Sequence, residues 1–268
     1  MISKSQQKLI RSLELKKYRQ REGLFVAEGP KVVGDLLRRA EATAIYATSQ
    51  WIEHNASVMS SGPQPTVNIH EVSPSELQHI SFLQHPQQVL GLFALPRQKS
   101  DAAMLPTMLR LPTCELVLAL DGVQDPGNLG TIIRLADWFG IGTILCSLDT
   151  ADAWSPKVVQ ATMGSIARVN VVYTDLKEWL SHLPADVPVY GTMLDGTDIY
   201  RQQLTSHGVI IMGNEGNGIS EQVAACVSHR LLVPSFSLTP DDTAESLNVA
   251  IATAITCAEF RRQQHETT

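Results

Sequence analysis

Residues 116–140 read LVLALDGVQDPGNLGTIIRLADWFG, and this stretch decides the fold. Its first five residues are apolar without alternation, which suits a strand buried on both faces. A polar loop runs from Asp121 to Asn128, in which Pro126 presets φ and Gly127 can adopt a positive φ. Beyond it, Ile132, Ile133, Leu135 and Trp138 recur at helical spacing as far as Gly140, a C-terminal stop signal, with Asn128 or Thr131 as the expected N-cap. A buried strand, a loop and an amphipathic helix make the unit of an α/β sheet, whose ligands sit beyond the carboxyl ends of the strands. Asn128, Gly130 and Arg134 fall at that end. From this block alone, Asn128 is as readily a simple helix cap and Arg134 a surface cation.

The arrangement recurs twice. VIIMGNEGNGIS, residues 209–220, is an apolar run followed by a loop in which Gly213, Gly216 and Gly218 permit close backbone approach and Glu215 is the one charge. The glycines are ordered Gly-x-x-Gly-x-Gly, not the Gly-x-Gly-x-x-Gly of a dinucleotide site, and no Gly-x-x-x-x-Gly-Lys-Ser/Thr loop is present. A plain tight turn also satisfies this block. RLLVPSFSLTPDDTAESLNVAIATAITCAEF, residues 230–260, gives a short strand through Val233, a stop at Pro234, a polar loop to Glu245, and from Ser246 a helix rich in small residues (Ala250, Ala252, Thr253, Ala254). Such a stripe suits packing or a dimer face. Ser246 and Asn248, near the helix start, can bond backbone or ligand.

Strand-like runs at 116–120, 143–147, 168–172, 187–193, 209–212 and 230–233 alternate with helix-like segments, one of which opens with a Ser155 cap and Pro156 at the first helical position. The expectation is α/β architecture: a C-terminal parallel-sheet domain over 113–268 and a smaller N-terminal α/β domain over 1–96, with strands near Ala44–Ala47 and Val89–Phe93. The loose segment RQKSDAAML places a linker at 97–112.

Charge is uneven. The chain carries a net −6, but residues 1–39 hold ten Lys or Arg against four Asp or Glu, so a +6 arm precedes a −12 body. Lys4, Lys8, Arg11, Lys16, Lys17, Arg19 and Arg21 lie along a mostly helical stretch able to neutralise phosphates or simply to form a solvated face. Cys114, Cys146, Cys226 and Cys257 are far apart and read as reduced thiols of a cytosolic protein. The eight histidines lack metal-ligand spacing, and no run is long enough to span a bilayer.

Taken together, the motifs N-L-G-T-I-I-R, G-N-E-G-N-G and E-S-L-N-V-A resemble, in order and spacing, those of the SpoU/TrmH family of RNA ribose 2′-O-methyltransferases, in the SPOUT superfamily. SPKVVQATMGSIARVNV, residues 155–171, is similar to the family's segment between its first two motifs. LELKKYRQREGLFVAEGPKVVGDLL (13–37) and QHPQQVLGLFALP (84–96) resemble the RNA-substrate domain, itself similar to ribosomal proteins, of members acting on ribosomal or transfer RNA.

The resemblance implies a deep trefoil knot in the C-terminal domain, a homodimer formed through that domain, cytoplasmic location and S-adenosylmethionine as methyl donor, with no metal. It implies a catalytic set of Asn128, Arg134, Glu215, Ser246 and Asn248, and cofactor contacts from Thr192, Leu194, Gly213, Asn214, Glu215, Gly216, Val233 and Leu247. It also implies RNA contacts from Lys16, Lys17, Arg19, Arg21 and Arg134, where Arg134 binds a backbone phosphate and orients the hydroxyl. RNA, and not DNA, follows from a reaction at the 2′-hydroxyl. Ribosomal RNA is favoured over transfer RNA. The chain departs from the family at SFSLTPDDTAE (235–245), which is longer than usual, lacks the customary methionine and glycine and brings in Asp241 and Asp242. An RNA- or ribosome-binding protein that kept the fold without turnover is therefore the alternative.

Overall fold

The computed structural model describes residues 2–60, 67–96, 101–237 and 244–266. Residues 97–100 of the expected linker, and Asp241 and Asp242, lie outside these ranges. The elements in chain order are α1 (Lys4–Ser12), α2 (Lys16–Glu22), β1 (Leu24–Glu28), α3 (Pro30–Leu37), β2 (Ala42–Ala47), α4 (Ser49–Ser60), β3 (Asn68–Glu71), α5 (Pro74–Ile80), β4 (Val89–Ala94), α6 (Asp101–Arg110), β5 (Leu116–Leu120), α7 (Pro126–Trp138), β6 (Thr143–Cys146), α8 (Pro156–Ala161), β7 (Asn170–Tyr173), α9 (Leu176–Ser181), β8 (Val189–Asp198), β9 (Gly208–Met212), α10 (Glu221–Ala224), β10 (His229–Leu232) and α11 (Val249–Glu266). The chain divides into two compact units, residues 1–97 with 152–168 and residues 98–151 with 169–268.

The first unit is built on a mixed four-stranded sheet ordered β1-β4-β2-β3, with β4 antiparallel to both neighbours and β3 parallel to β2. Capping boxes start α1 (Ser3 with Gln6) and α5 (Ser73 with Glu76), satisfying amide groups that the first turn leaves unpaired. Ile10, Leu13, Val26, Tyr46, Leu77, Ile80 and Leu90 fill the core beneath them.

Arg19, expected to meet phosphate, is instead 2% exposed. Its guanidinium donates to the carbonyls of Leu13 and Glu14, both at 2.7 Å, and pairs with the Asp152 carboxylate. Those carbonyls follow the end of α1 and need donors, and an arginine fork can serve them and a carboxylate together. Lys16, Lys17 and Arg21 are exposed. Lys17 and Arg21 both lie over the Tyr18 ring, 4.9 and 4.7 Å from its centre.

The segment 152–168, which the sequence assigned to the C-terminal domain, packs with the first unit. Trp154 meets Phe25 with ring centres 4.8 Å apart. Ser155 caps α8 with Pro156 at its first position, as expected. At Gly164, φ is +95°, which favours glycine, and a Cβ would come within 2.5 Å of the Asp35 carboxylate, so Asp35 would have to shift to admit a side chain. Asp35 in turn accepts from Lys31, Arg38 and Arg168.

The second unit is a six-stranded, wholly parallel sheet ordered β10-β8-β9-β5-β6-β7. The chain is thus mixed α/β with a parallel sheet. Every residue of the central strands β5 and β9 is buried, the signature of strands covered on both faces. Three local expectations change. The linker region carries α6, from which Met108 and Leu109 pack into the core with Val117, Val209 and Trp179. The cap of α7 is Asp125, whose carboxylate accepts from the Asn128 amide at 2.8 Å. The helix therefore begins at Pro126, a residue well suited to its first position, and not at Asn128 or Thr131. Finally β8 runs beyond Met193, and its pairing with β10 shifts between Arg230 and Leu231, so that residues 192–196 are skipped by the ladder.

Asp152→Ala would strand the buried Arg19 charge. It is expected to destabilise the first unit by about 3 kcal/mol, whereas Lys17→Ala on the exposed face should cost under about 0.5 kcal/mol. Urea unfolding followed by tryptophan fluorescence checks both.

Candidate functional site

Strands β5 and β9 are neighbours in register, Leu120 opposite Met212, so the loops that follow them emerge side by side. Asp121 extends the ladder by donating its amide to the Met212 carbonyl at 2.9 Å. Its carboxylate accepts from the Ser220 amide at 2.7 Å. Gly122, at φ +71°, donates its amide to the Ser147 hydroxyl beyond β6. Asn214 uses its side chain to close the loop on itself. Its amide nitrogen donates to the Gly122 carbonyl at 2.7 Å, and its oxygen accepts from the amides of Gly216 and Asn217. Backbone bonds run both ways between Asn214 and Gly218, and a Cβ on Gly213 would lie 2.3 Å from the Gly218 carbonyl carbon. The glycine at 213 is thus required by the loop's own crossing, whatever ligand it meets.

From this loop Glu215 reaches α7. Its carboxylate accepts from the Asn128 side-chain amide at 2.7 Å, the Asn128 oxygen accepts from the Asn248 amide at 3.0 Å, and the Asn248 oxygen accepts from the amides of Ala250 and Ile251 at the start of α11. The orientation of both amides is dictated by the ends of the chain. An ionised carboxylate only accepts and a helix N-terminus only donates, so each asparagine must present nitrogen towards Glu215 and oxygen towards α11. Asp125 makes this possible: by capping α7 it frees the Asn128 side chain for other partners.

Asn248 is consequently the N-cap of α11, and Ser246 lies exposed two residues before the helix cap. Arg134 is exposed on α7, one turn before Trp138, which is 83% exposed. Among the described residues neither Ser246 nor Arg134 bonds to the Glu215–Asn128–Asn248 chain. The structure therefore joins three of the five residues expected in the catalytic set and leaves two outside the row.

The expected cofactor residues come from adjacent strands. Thr192 and Leu194 belong to the skipped stretch of β8, Gly213 and Gly216 follow β9, and Val233 follows β10. The Thr192 hydroxyl donates to the Ile211 carbonyl at 3.3 Å, while Leu194 and Leu247 are exposed apolar groups. Asn214 has its side chain and its backbone amide committed within the protein, which leaves only the second lone pair of its carbonyl for a ligand. Asp121, Ser147 and Thr150 were missed by sequence reasoning, although a carboxylate and glycine directly after a buried strand were a usable signal for the first.

Burial raises the Cys146 thiol and pushes Cys257 up to about 12, leaving both protonated and unreactive at neutral pH. Among the described residues no cluster of three His, Cys, Asp or Glu could hold a metal, and no helix is long and apolar enough to cross a membrane. A cleft of about 860 Å³ in the first unit, lined from the starts of α4 and α5, contains none of the expected catalytic, cofactor or RNA-binding residues.

The chain matches the family model of the SpoU rRNA methylase family over residues 115–258 and that of the MRM3-like substrate binding domain over 4–91. It is 30% identical over 253 residues to the 23S rRNA (guanosine(2553)-2′-O)-methyltransferase RlmP of Bacillus subtilis, covering 94% of each chain. It is 32% identical to the mitochondrial rRNA methyltransferase 3 of Mus musculus over 65% of this chain, which spans only 41% of that relative. Among solved structures, the AdoMet-bound rRNA methyltransferase of Sinorhizobium meliloti superposes with a TM-score of 0.81 at 31% identity, covering 98% of this chain and 97% of that one.

Removing the Asn248 side chain removes both a helix cap and a link in the amide chain. Asn248→Ala is expected to cost about 1–2 kcal/mol. Asn248→Asp keeps the cap but sets an acceptor against the Asn128 oxygen, so it should retain more stability than Asn248→Ala while releasing Asn128. Thermal unfolding measures the first effect, and side-chain amide NMR of Asn128 the second.

Proposed function

The chain belongs to the SpoU rRNA methylase family, and on that premise we propose that it transfers a methyl group from S-adenosylmethionine to a ribose 2′-hydroxyl of ribosomal RNA. The hydrogen-bonded chain from Glu215 through Asn128 and Asn248 to α11 carries the proposal. It joins groups from all three sequence motifs at the carboxyl edge of a parallel sheet, where such folds bind ligands. The relatives' names favour ribosomal over transfer RNA.

The residues fit the cofactor. Thr192, Leu194, Gly213, Asn214, Glu215, Gly216, Val233 and Leu247 would hold it, with exposed backbone around Gly216 for polar groups and Leu194, Val233 and Leu247 for an apolar ring. S-adenosylmethionine supplies a methyl group already activated by its sulfonium. The protein's task is then to align the ribose hydroxyl and help detach its proton. Asn128 and Glu215 position that ribose, and Ser246 with Asn248 hold the nucleotide. Arg134, always charged and therefore a poor base, grips a backbone phosphate with its fork. Lys16, Lys17 and Arg21 add phosphate contacts from the N-terminal domain. Arg19 is removed from that set by its burial.

The finer architecture of this reading is a trefoil-knotted domain that pairs with a second copy. The exposed Trp138 of α7 and Ile251 of α11, on helices that pack together, support a dimer face beside Arg134. The free thiols agree with a cytoplasmic setting.

Calorimetric titration with S-adenosylhomocysteine should give a Kd of about 1–100 μM, roughly −8 to −5.5 kcal/mol, with one site per chain. Wild-type protein with labelled S-adenosylmethionine should methylate ribosomal and not transfer RNA. Absence of both binding and transfer would favour a ribosome-binding protein without turnover. Arg134→Lys should lower turnover by about 100-fold with S-adenosylhomocysteine affinity retained, and turnover near wild type would exclude the phosphate-orienting role.

A further inference from the structure

Glu215 does not hold its own position. It sits at the tip of the loop 213–220, and the bonds that fix this loop to the sheet come from the turn after β5. Asn214 pins the first leg to the Gly122 carbonyl, and Asp121 pins the second leg through the Ser220 amide. Asp121 is itself fixed, being 8% exposed at the end of a buried strand and bonded by its own amide to Met212. Its neighbour Gly122 is tied to Ser147, which bonds Thr150, which bonds the Leu120 carbonyl. The loops after β5, β6 and β9 therefore form one hydrogen-bonded assembly, and between the two pins lie Glu215, the exposed Gly216, Asn217 and Gly218, and Ile219, which packs against the core.

We propose that Asp121 is a positioning residue for methyl transfer: by holding the Ser220 amide it sets where the Glu215 carboxylate meets Asn128. The inference rests on the methyltransferase reading above. A carboxylate suits the task because its oxygens only accept, so the bond to a backbone amide has no competing orientation. The length of the Asn128–Glu215 bond, 2.7 Å, leaves little slack for a shifted loop. An error of about 1 Å in such a constellation lowers turnover by roughly 100-fold.

Two substitutions remove the same bond from opposite sides. Asp121→Ala removes the acceptor. Ser220→Pro removes only the donor, at a residue whose φ of −61° proline already favours and whose side chain makes no cap bond. Each is expected to lower kcat on ribosomal RNA by at least about tenfold, and Asp121→Asn, which keeps an acceptor oxygen, should recover most of it. The decisive readout is combination with Glu215→Ala. If Asp121 acts through Glu215, neither substitution lowers kcat further in that background by more than about twofold. A merely structural role gives losses that multiply, and multiplication, or unchanged turnover in both single variants, overturns the proposal.

Amide hydrogen exchange of residues 213–220 reads the pin without any substrate. Faster exchange at Gly216 and Asn217 in both variants is expected, and unchanged exchange overturns the proposal. Failure of the wild-type protein to methylate RNA would overturn the functional reading, while the exchange result would still decide whether Asp121 holds the loop.

Discussion

A row of two asparagine side chains strung between a carboxylate and a helix N-terminus is the constraint on which the candidate site depends. Each hydrogen bond in the row has a forced direction, because Glu215 cannot donate and the first amides of α11 cannot accept. Reversing the Asn128 amide would break two bonds at once, and reversing that of Asn248 three. The row also joins residues remote in sequence, Asn128 to Glu215 across 87 positions and Asn128 to Asn248 across 120. The positive end of the 18-residue α11 dipole and the negative Glu215 stand at opposite ends of the row, which polarises every link in the same sense.

The sheet order delivers these groups to one edge. With β9 beside β5, the loop bearing Glu215 emerges next to the start of α7. The last helix returns to pack against α7, and Arg261 donates to the Phe139 and Gly140 carbonyls where α7 ends. Those carbonyls lack helical partners, so the arginine satisfies them while registering the two helices. In the first unit a second arginine, Arg19, plays a comparable part by meeting carbonyls beyond α1 and a carboxylate from the 152–168 segment. Both sites show cations that composition counts as surface charge being used as structural donors.

Much of the architecture was legible because it is written in short-range terms. The apolar run 116–120 coincides with β5, and the Ser155-Pro156 start of α8 follows from cap chemistry within three residues. The start of α7 was misplaced because Asp125, Asn128 and Thr131 are all competent caps, and only the fixed φ of Pro126 at the first helical position tips the choice to Asp125. The helix at 101–110 was hidden by a polar opening and an internal Pro106, and its place in the fold rests on burial of Met108 against strands that follow it. The skipped residues of β8 depend on pairing with β10, which no local pattern encodes.

Sequence alone determined the strands of the parallel sheet, helices α7, α8 and α11, the parallel α/β class, the family and the identity of the polar residues gathered near the strand ends, since periodicity, caps and motif spacing are properties of neighbouring residues. Tertiary structure decided what those residues do to one another. It chose Asn128, Glu215 and Asn248 for the bonded row and left Arg134 and Ser246 outside it; it buried Arg19 while exposing Lys17 and Arg21, and it gave Asp121 the Ser220 amide. The physical reason is that hydrogen-bond direction and desolvation are set by whichever group comes opposite, and here that group lies 87 to 133 residues away along the chain.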